Sequence, residues 1–175
     1  MSKISEIIHL GNPLLREVAK PIQKIEDPSL QNLIQELIST TIDHNGVGIA
    51  APQVAQSLQL IIVASHPTPR YPQAPQMEPI AMINPRIVNH SGEPEKGWEG
   101  CLSVPGIRGL VPRYPQIVIE YTDIHNQVCC QELTGFVARI FQHEYDHLQG
   151  IVFLDRVEST QEMITEQEYQ KLFTE

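Results

Sequence analysis

Cysteine is scarce in this 175-residue chain: Cys101, Cys129 and Cys130 are all there are, and two of them are adjacent. An odd count with a vicinal pair makes a poor disulfide framework, which points to a reducing compartment. Positive charge is short as well. Twelve Lys and Arg against 21 Asp and Glu give a formal net charge of −9. With no Lys/Arg run, direct nucleic-acid binding is not indicated. No apolar run approaches a membrane span. The opening MSKISEIIHLGNP has neither the apolar stretch of a signal peptide nor the Arg/Ser bias of a transit peptide. Together these absences predict a cytoplasmic protein with no membrane partner.

What is present suits an ordinary globular chain, with 41% hydrophobic and 19% charged residues. The length predicts a single domain over 1–175 that buries a core without disulfides. Asp27-Pro28 is a helix start, and Leu30, Leu33, Ile34, Leu37, Ile38 and Ile42 recur behind it at helical spacing through Asp43. GVGIAAPQ (46–53) is too rich in glycine and small residues for a helix. Strands are expected at 58–64, 80–83, 86–88, 107–111, 116–122 and 127–133. Between them, 65–79 holds five of the fourteen prolines and reads as an exposed surface loop. Cys129 and Cys130 fall on opposite faces of a strand, as packing residues. Thr134 is placed to cap a second helix from Gly135 to Gln149, stopped by Gly150. The acidic end, 158–175, reads as a tail or as a surface helix over 160–173. Strands outnumber helices and do not alternate with them, so the expected class is α+β: mixed or antiparallel strands around the second helix.

That helix carries QHEYDHL. His143 and His147 stand four apart, hence on one face, with Glu144 beside the first. The H-E-x-x-H pattern supplies two metal ligands and a carboxylate placed to take a proton from water on the metal. Surface histidines are often mere polar filler. Here Phe136, Val137, Ile140, Phe141 and Leu148 make the helix apolar and central, and buried imidazoles need partners. A catalytic site usually takes three protein ligands. Asp155, Glu158 and Glu162 lie downstream, but the longer HExxHxxGxxH continuation is absent. Upstream, GWEGCLSVPG (97–106) offers Cys101, which alone could be an inert buried thiol. Beside a two-histidine helix, its thiolate completes a Cys-His-His set.

Taken together, GVGIAAPQ, EGCLS and QHEYDHL resemble, in order and separation, the three signature motifs of bacterial peptide deformylases. NPLLR, VPR and GIVFLDR fit the same pattern, and the likeness spans about residues 5–157. The resemblance implies a metal-dependent hydrolase that removes the formyl group from the N-terminal formyl-methionine of new polypeptides, releasing formate. Cys101, His143 and His147 would hold one divalent ion, Fe2+ in the cell or alternatively Zn2+. Glu144 would act as general base and then acid. The Gln53 amide and the Leu102 backbone N–H would hold the developing oxyanion. Val47, Gly48 and Gly100 would pair with the extended peptide, and Arg108 would lie near its later side chains. Nascent chains at the ribosome would be the partners, although the acidic C-terminus lacks the basic helix suited to ribosomal RNA.

Other residues keep two readings. Glu99 is either support for the cysteine loop or an exposed acid. Asp146 either accepts from a ligand imidazole or stabilises the helix end. Arg139 either walls the methionine pocket or pairs with an acid. Two rival functions stand beside the deformylase. A small peptidase cutting internal bonds would want a downstream carboxylate in place of Cys101. A structural zinc or peptide-binding module would want a fourth protein ligand and has no use for Glu144.

Overall fold

A computed structural model describes residues 4–172. Helix α1 (Pro28–Asp43) begins as expected, the Asp27 side chain accepting from Ser29 N–H with proline at the first turn. Strand β1 (Gly48–Ala50) follows, then a single 3-10 turn over Ala51–Val54 and strand β2 (Leu60–Val63). Next come β3 (Ile80–Ser91), β4 (Glu95–Cys101), β5 (Val104–Arg113), β6 (Gln116–Thr122) and β7 (Val128–Thr134). Helix α2 (Gly135–Leu148), strand β8 (Met163–Thr165) and the short helix α3 (Glu166–Lys171) complete the order.

The strands form two sheets, β1-β2-β3-β6-β7 and β4-β5-β8, and every pairing of named strands is antiparallel. The fold is α+β. β2 shows why its sequence is apolar without alternation, for both of its faces are covered. Ile61 and Val63 pack with Ala138, Ile140, Phe141 and Leu148 of α2. Leu60 and Ile62 face the other way, onto Leu30, Ile34 and Leu37 of α1. β6 alternates because only one of its faces is covered, with Ile117, Ile119 and Tyr121 turned inward. α2 therefore lies in the core, against the five-stranded sheet.

Four expectations are corrected. The strands expected at 80–83 and 86–88 are one, bulged between Ile83 and Arg86, where Pro85 has no N–H to give the ladder. Thr134 stands at the start of α2 but its side chain makes no capping hydrogen bond. Cys130 is exposed and packs nothing, because the outer face of β7 is uncovered. The helix expected at 160–173 is a turn, then β8, then α3, with residue 173 outside the described residues. β5 draws Met163–Thr165 into its ladder, and this edge pairing overrides the amphipathic pattern. β4 was not anticipated at all. Its sequence, EKGWEGC, has two glycines and little strand propensity.

The stop after α2 is as read. Gly150 adopts φ +71°, and a Cβ there would come within 2.5 Å of the Arg16 carbonyl oxygen, so the position requires glycine. No helix among the described residues is long and apolar enough to cross a membrane.

Candidate active site

α2 presents His143, Glu144 and His147 from one buried face, the two imidazole centroids 5.3 Å apart. Cys101 is the last residue of β4, and the tight turn Leu102–Ser103 returns the chain into β5. This hairpin brings Cys101 Sγ to 3.3 Å from His147 Nε2. One donor atom from each of Cys101, His143 and His147 falls within 4.8 Å of the others, the one such group among the described residues. The donor set fits a divalent ion: one sulfur and two imidazole nitrogens, converging where the buried Glu144 Oε2 has no protein partner.

Charge around the site is arranged in layers. Glu99, on β4, lies with Oε2 2.9 Å from His143 Nδ1. Its two oxygens also take Arg113 Nε and Nη2 at 2.9 and 3.0 Å, and Arg139 Nη1 at 3.0 Å. Burial alone would raise the Glu99 pKa. The Arg113 charge and the hydrogen bonds from His143 and Arg113 instead hold it far below the usual carboxylate range. An ionised Glu99 fixes the proton of His143 on Nδ1 and leaves Nε2 as the donor atom. Arg113 Nη1 continues to Asp146 at 2.6 Å, and Arg156 closes the chain on Asp146 Oδ1 at 2.8 Å. Of the two readings of Asp146, neither is what forms: it binds arginines rather than an imidazole. Burial pushes the His147 pKa well down, which suits a neutral ligand. Burial likewise pushes Glu144 up to about 7, the range in which a carboxyl group can both take and return a proton.

The remaining expected residues, Arg108 apart, gather on the same side. Gln53 is buried, its Oε1 accepting from Ala50 N–H at 2.8 Å. That bond turns Nε2 toward Ser103 Oγ at 3.2 Å and Cys101 Sγ at 3.5 Å. Val47, Gly48, Gly100 and Leu102 line one cleft with Gln53, Cys101, His143 and Glu144. β1 and β4 are edge strands of their sheets, so free strand edges flank this cleft.

A sequence profile described as polypeptide deformylase matches residues 4–163. The chain belongs to the peptide deformylase family. A peptide deformylase 2 from Nostoc sp. is 63% identical over 168 residues, covering 96% of this chain and 94% of that one. A second, from Shewanella oneidensis, is 46% identical over 91% of this chain and 87% of its own. Among solved structures, the Met-Ala-Ser-bound class I type b peptide deformylase from Acinetobacter baumannii is similar at a TM-score of 0.87. It is 43% identical, with 90% of this chain and all of that one covered. Peptide deformylase from Thermotoga maritima is similar at a TM-score of 0.79 and 35% identity, over 90% of this chain and 99% of that one. The family is metal-dependent and removes the N-formyl group of formyl-methionine from nascent polypeptides, releasing formate. The chain is a hydrolase of this kind.

Seen as a deformylase cleft, the site contains residues that the motifs do not cover. Arg70 and Tyr71, from the proline-rich 65–79 segment, line it beside Phe136. That segment is irregular, as expected, but not wholly exposed: Ser65, Thr68 and Ala74 are buried, and Ser65 Oγ donates to the Pro75 carbonyl at 2.6 Å. Nothing local in SHPTPRYPQAPQMEP marks Tyr71 as a wall residue; only the tertiary position of the loop does. Arg139 pairs with Glu99, one of its two readings, and it also lines the cleft. Arg108 is not brought to the cleft surface. Its side chain is fully buried behind Gly100, where an added Cβ would stand 3.0 Å from Arg108 Cδ.

Gly48 is small for a second reason. A Cβ there would lie 2.8 Å from both Glu144 Oε1 and Ile140 Cγ2, so α2 and its carboxylate already occupy that space. Gly97 bears on Arg139 in the same way, at 2.7 Å from its guanidinium carbon. The glycines that hid β4 from a propensity reading thus make room for guanidinium groups.

Proposed function

We propose that deformylation in this chain is carried by Cys101, His143 and His147 as metal ligands and Glu144 as the proton carrier. Gln53 and Leu102 serve as the oxyanion donors, all within a single catalytic domain over 1–175. The observation that carries this reading is the convergence of the three donor atoms within 4.8 Å beside a buried Glu144. A divalent ion held there would polarise the formyl carbonyl and lower the pKa of water toward neutrality.

The protein groups supply the rest. Glu144, near pKa 7, takes the proton of the attacking water and returns it to the departing amine nitrogen. As the formyl carbon becomes tetrahedral, its oxygen gains charge. In this reading Gln53 Nε2, its orientation set by Ala50 N–H, and the Leu102 N–H donate to it. A peptide entering between the free edges of β1 and β4 can pair its backbone with Val47, Gly48 and Gly100 in strand-like fashion. The Val47 carbonyl already accepts from Ala64 N–H at 2.8 Å and keeps one lone pair for a substrate amide.

Fe2+ is the ion proposed for the cell. A thiolate with two imidazoles also suits Zn2+, so the donor set favours neither on chemical grounds. The proposed substrates are formyl-methionyl nascent chains in the cytoplasm, met as they leave the ribosome. The tail carries Glu158, Glu162, Glu166 and Glu168, which favours encounter through the peptide rather than through ribosomal RNA.

Formate release from formyl-Met-Ala-Ser, measured anaerobically with Fe2+ and with Zn2+, tests the reading. Turnover of the formyl peptide with little or none of acetyl-Met-Ala-Ser is expected. Equal rates on the acetyl peptide, or cleavage of casein, would instead favour a peptidase.

A further inference from the structure

Arg108 is the largest fully buried side chain among the described residues, and two separate segments meet on it. From α3, Glu166 takes its Nε and Nη2 at 2.6 and 3.2 Å. The Tyr169 ring, also from α3, lies 4.5 Å from its guanidinium carbon. From the proline-rich loop, the Tyr71 ring lies 5.0 Å from the same atom. A guanidinium can do this because its plane stacks on rings while its edge forks onto a carboxylate.

Tyr71 also lines the deformylase cleft, 5.0 Å centroid to centroid from Phe136. Phe136 precedes the ligand His143 by seven residues on α2. Two helical turns correspond to about 10 Å, the reach of roughly three extended residues. Tyr71 therefore walls the end of the cleft that lies away from the metal-site residues. Within the loop, Tyr71 N–H donates to the Thr68 carbonyl at 3.0 Å and Met77 N–H to the Ser65 carbonyl at 2.9 Å. Tyr169 further touches Trp98, a second cleft residue, edge-on at 5.9 Å. α3 is six residues long and too short to persist alone, so its place is fixed by β8 and by these contacts.

We propose that Arg108 and Tyr169 are positioning residues: α3 clasps the proline-rich loop through Arg108 and so fixes Tyr71 as a wall of the substrate cleft. The inference rests on the deformylase reading. It gives Arg108 a place behind the cleft wall rather than a direct contact with peptide.

The test compares wild type, Tyr169→Ala, Tyr169→Phe and Glu166→Gln in the full chain, on formyl-Met-Ala-Ser. Tyr169→Ala should raise KM for the tripeptide about fivefold, since one ring–cation contact is lost, with kcat within about twofold. Tyr169→Phe should restore the tripeptide KM, because the ring and not the hydroxyl faces the guanidinium. Glu166→Gln, which leaves both rings in place, should shift KM in the same direction by less, and it carries the test if Tyr169→Ala does not fold. Amide exchange at Tyr71 and Met77 should quicken in Tyr169→Ala while α2 stays protected.

A folded Tyr169→Ala with unchanged tripeptide KM and unchanged loop exchange would overturn the proposal. So would a loss of kcat at unchanged KM, or a phenylalanine that fails to rescue. A wild-type protein that releases no formate would instead defeat the deformylase reading, and loop exchange would still decide the clasp.

Discussion

Glu99 Oε2 lies 2.9 Å from His143 Nδ1, and the same carboxylate is held on its other side by Arg113. The His143 imidazole is thus oriented by an acid that is itself locked in place by a cation. Glu99→Gln should weaken metal retention by about 10–100-fold, measured by competition with a chelator. It should also lower stability by about 3 kcal/mol, because the buried Arg113 loses one of its two carboxylates. Unchanged metal affinity would mean that Glu99 serves the cysteine hairpin alone.

Glu144 is the proton carrier in this account and not a ligand. Glu144→Ala should keep the metal stoichiometry and the fold while kcat falls roughly 10²–10⁴-fold. Loss of metal together with activity would make Glu144 structural and leave the general base unidentified.

Gly48 tests the packing behind that carboxylate. In Gly48→Ala the new methyl would meet Glu144 Oε1 and Ile140 Cγ2 at 2.8 Å, so one of them must move. Overpacking of this kind costs about 1–3 kcal/mol. Displacing the proton carrier should lower kcat more steeply, on the order of 10²-fold. Thermal unfolding and kcat measured side by side would show it, and a variant with full kcat would remove Glu144 from contact with β1.

The Glu166–Arg108 pair gives the clasp a pH dependence. Burial would raise the Glu166 pKa, but the Arg108 hydrogen bond and charge, with Arg70 from the loop adding to them, lower it on balance. A depressed acid stabilises the fold above its unfolded pKa of about 4.3, and that contribution is lost as pH falls through the lower folded value. The stability gap between wild type and Glu166→Gln should therefore be full at pH 7 and narrow on acidification below about pH 4. A gap that is flat in pH, followed by chemical denaturation, would argue against an ionised pair.

The metal helix was legible because its evidence is local. His143, Glu144 and His147 are chemically distinctive residues at helical spacing, and the apolar residues around them mark a buried helix. α1, with Asp27 and Pro28 at its start, was legible for the same reason. β4 was not, because Gly97 and Gly100 are there for Arg139 and Arg108, and a propensity reading sees only weak strand formers. β8 depends on a ladder with β5 more than fifty residues earlier in the chain, which no local pattern reports. The ion-pair chain was hidden by distance too: Glu99, Arg113 and Asp146 come from two strands and a helix, and only their meeting gives each its role. Tyr71 belongs to the cleft through its loop's tertiary placement alone.

The central claim is that Cys101, from the β4–β5 hairpin, completes a three-ligand site with the helix histidines. Metal analysis of purified Cys101→Ala, beside wild type loaded with the same Fe2+ or Zn2+, tests it most directly. The account expects about one ion per chain in wild type, and in the variant neither stoichiometric metal nor formate release. A folded Cys101→Ala protein that retains the ion and still deformylates formyl-Met-Ala-Ser would contradict it.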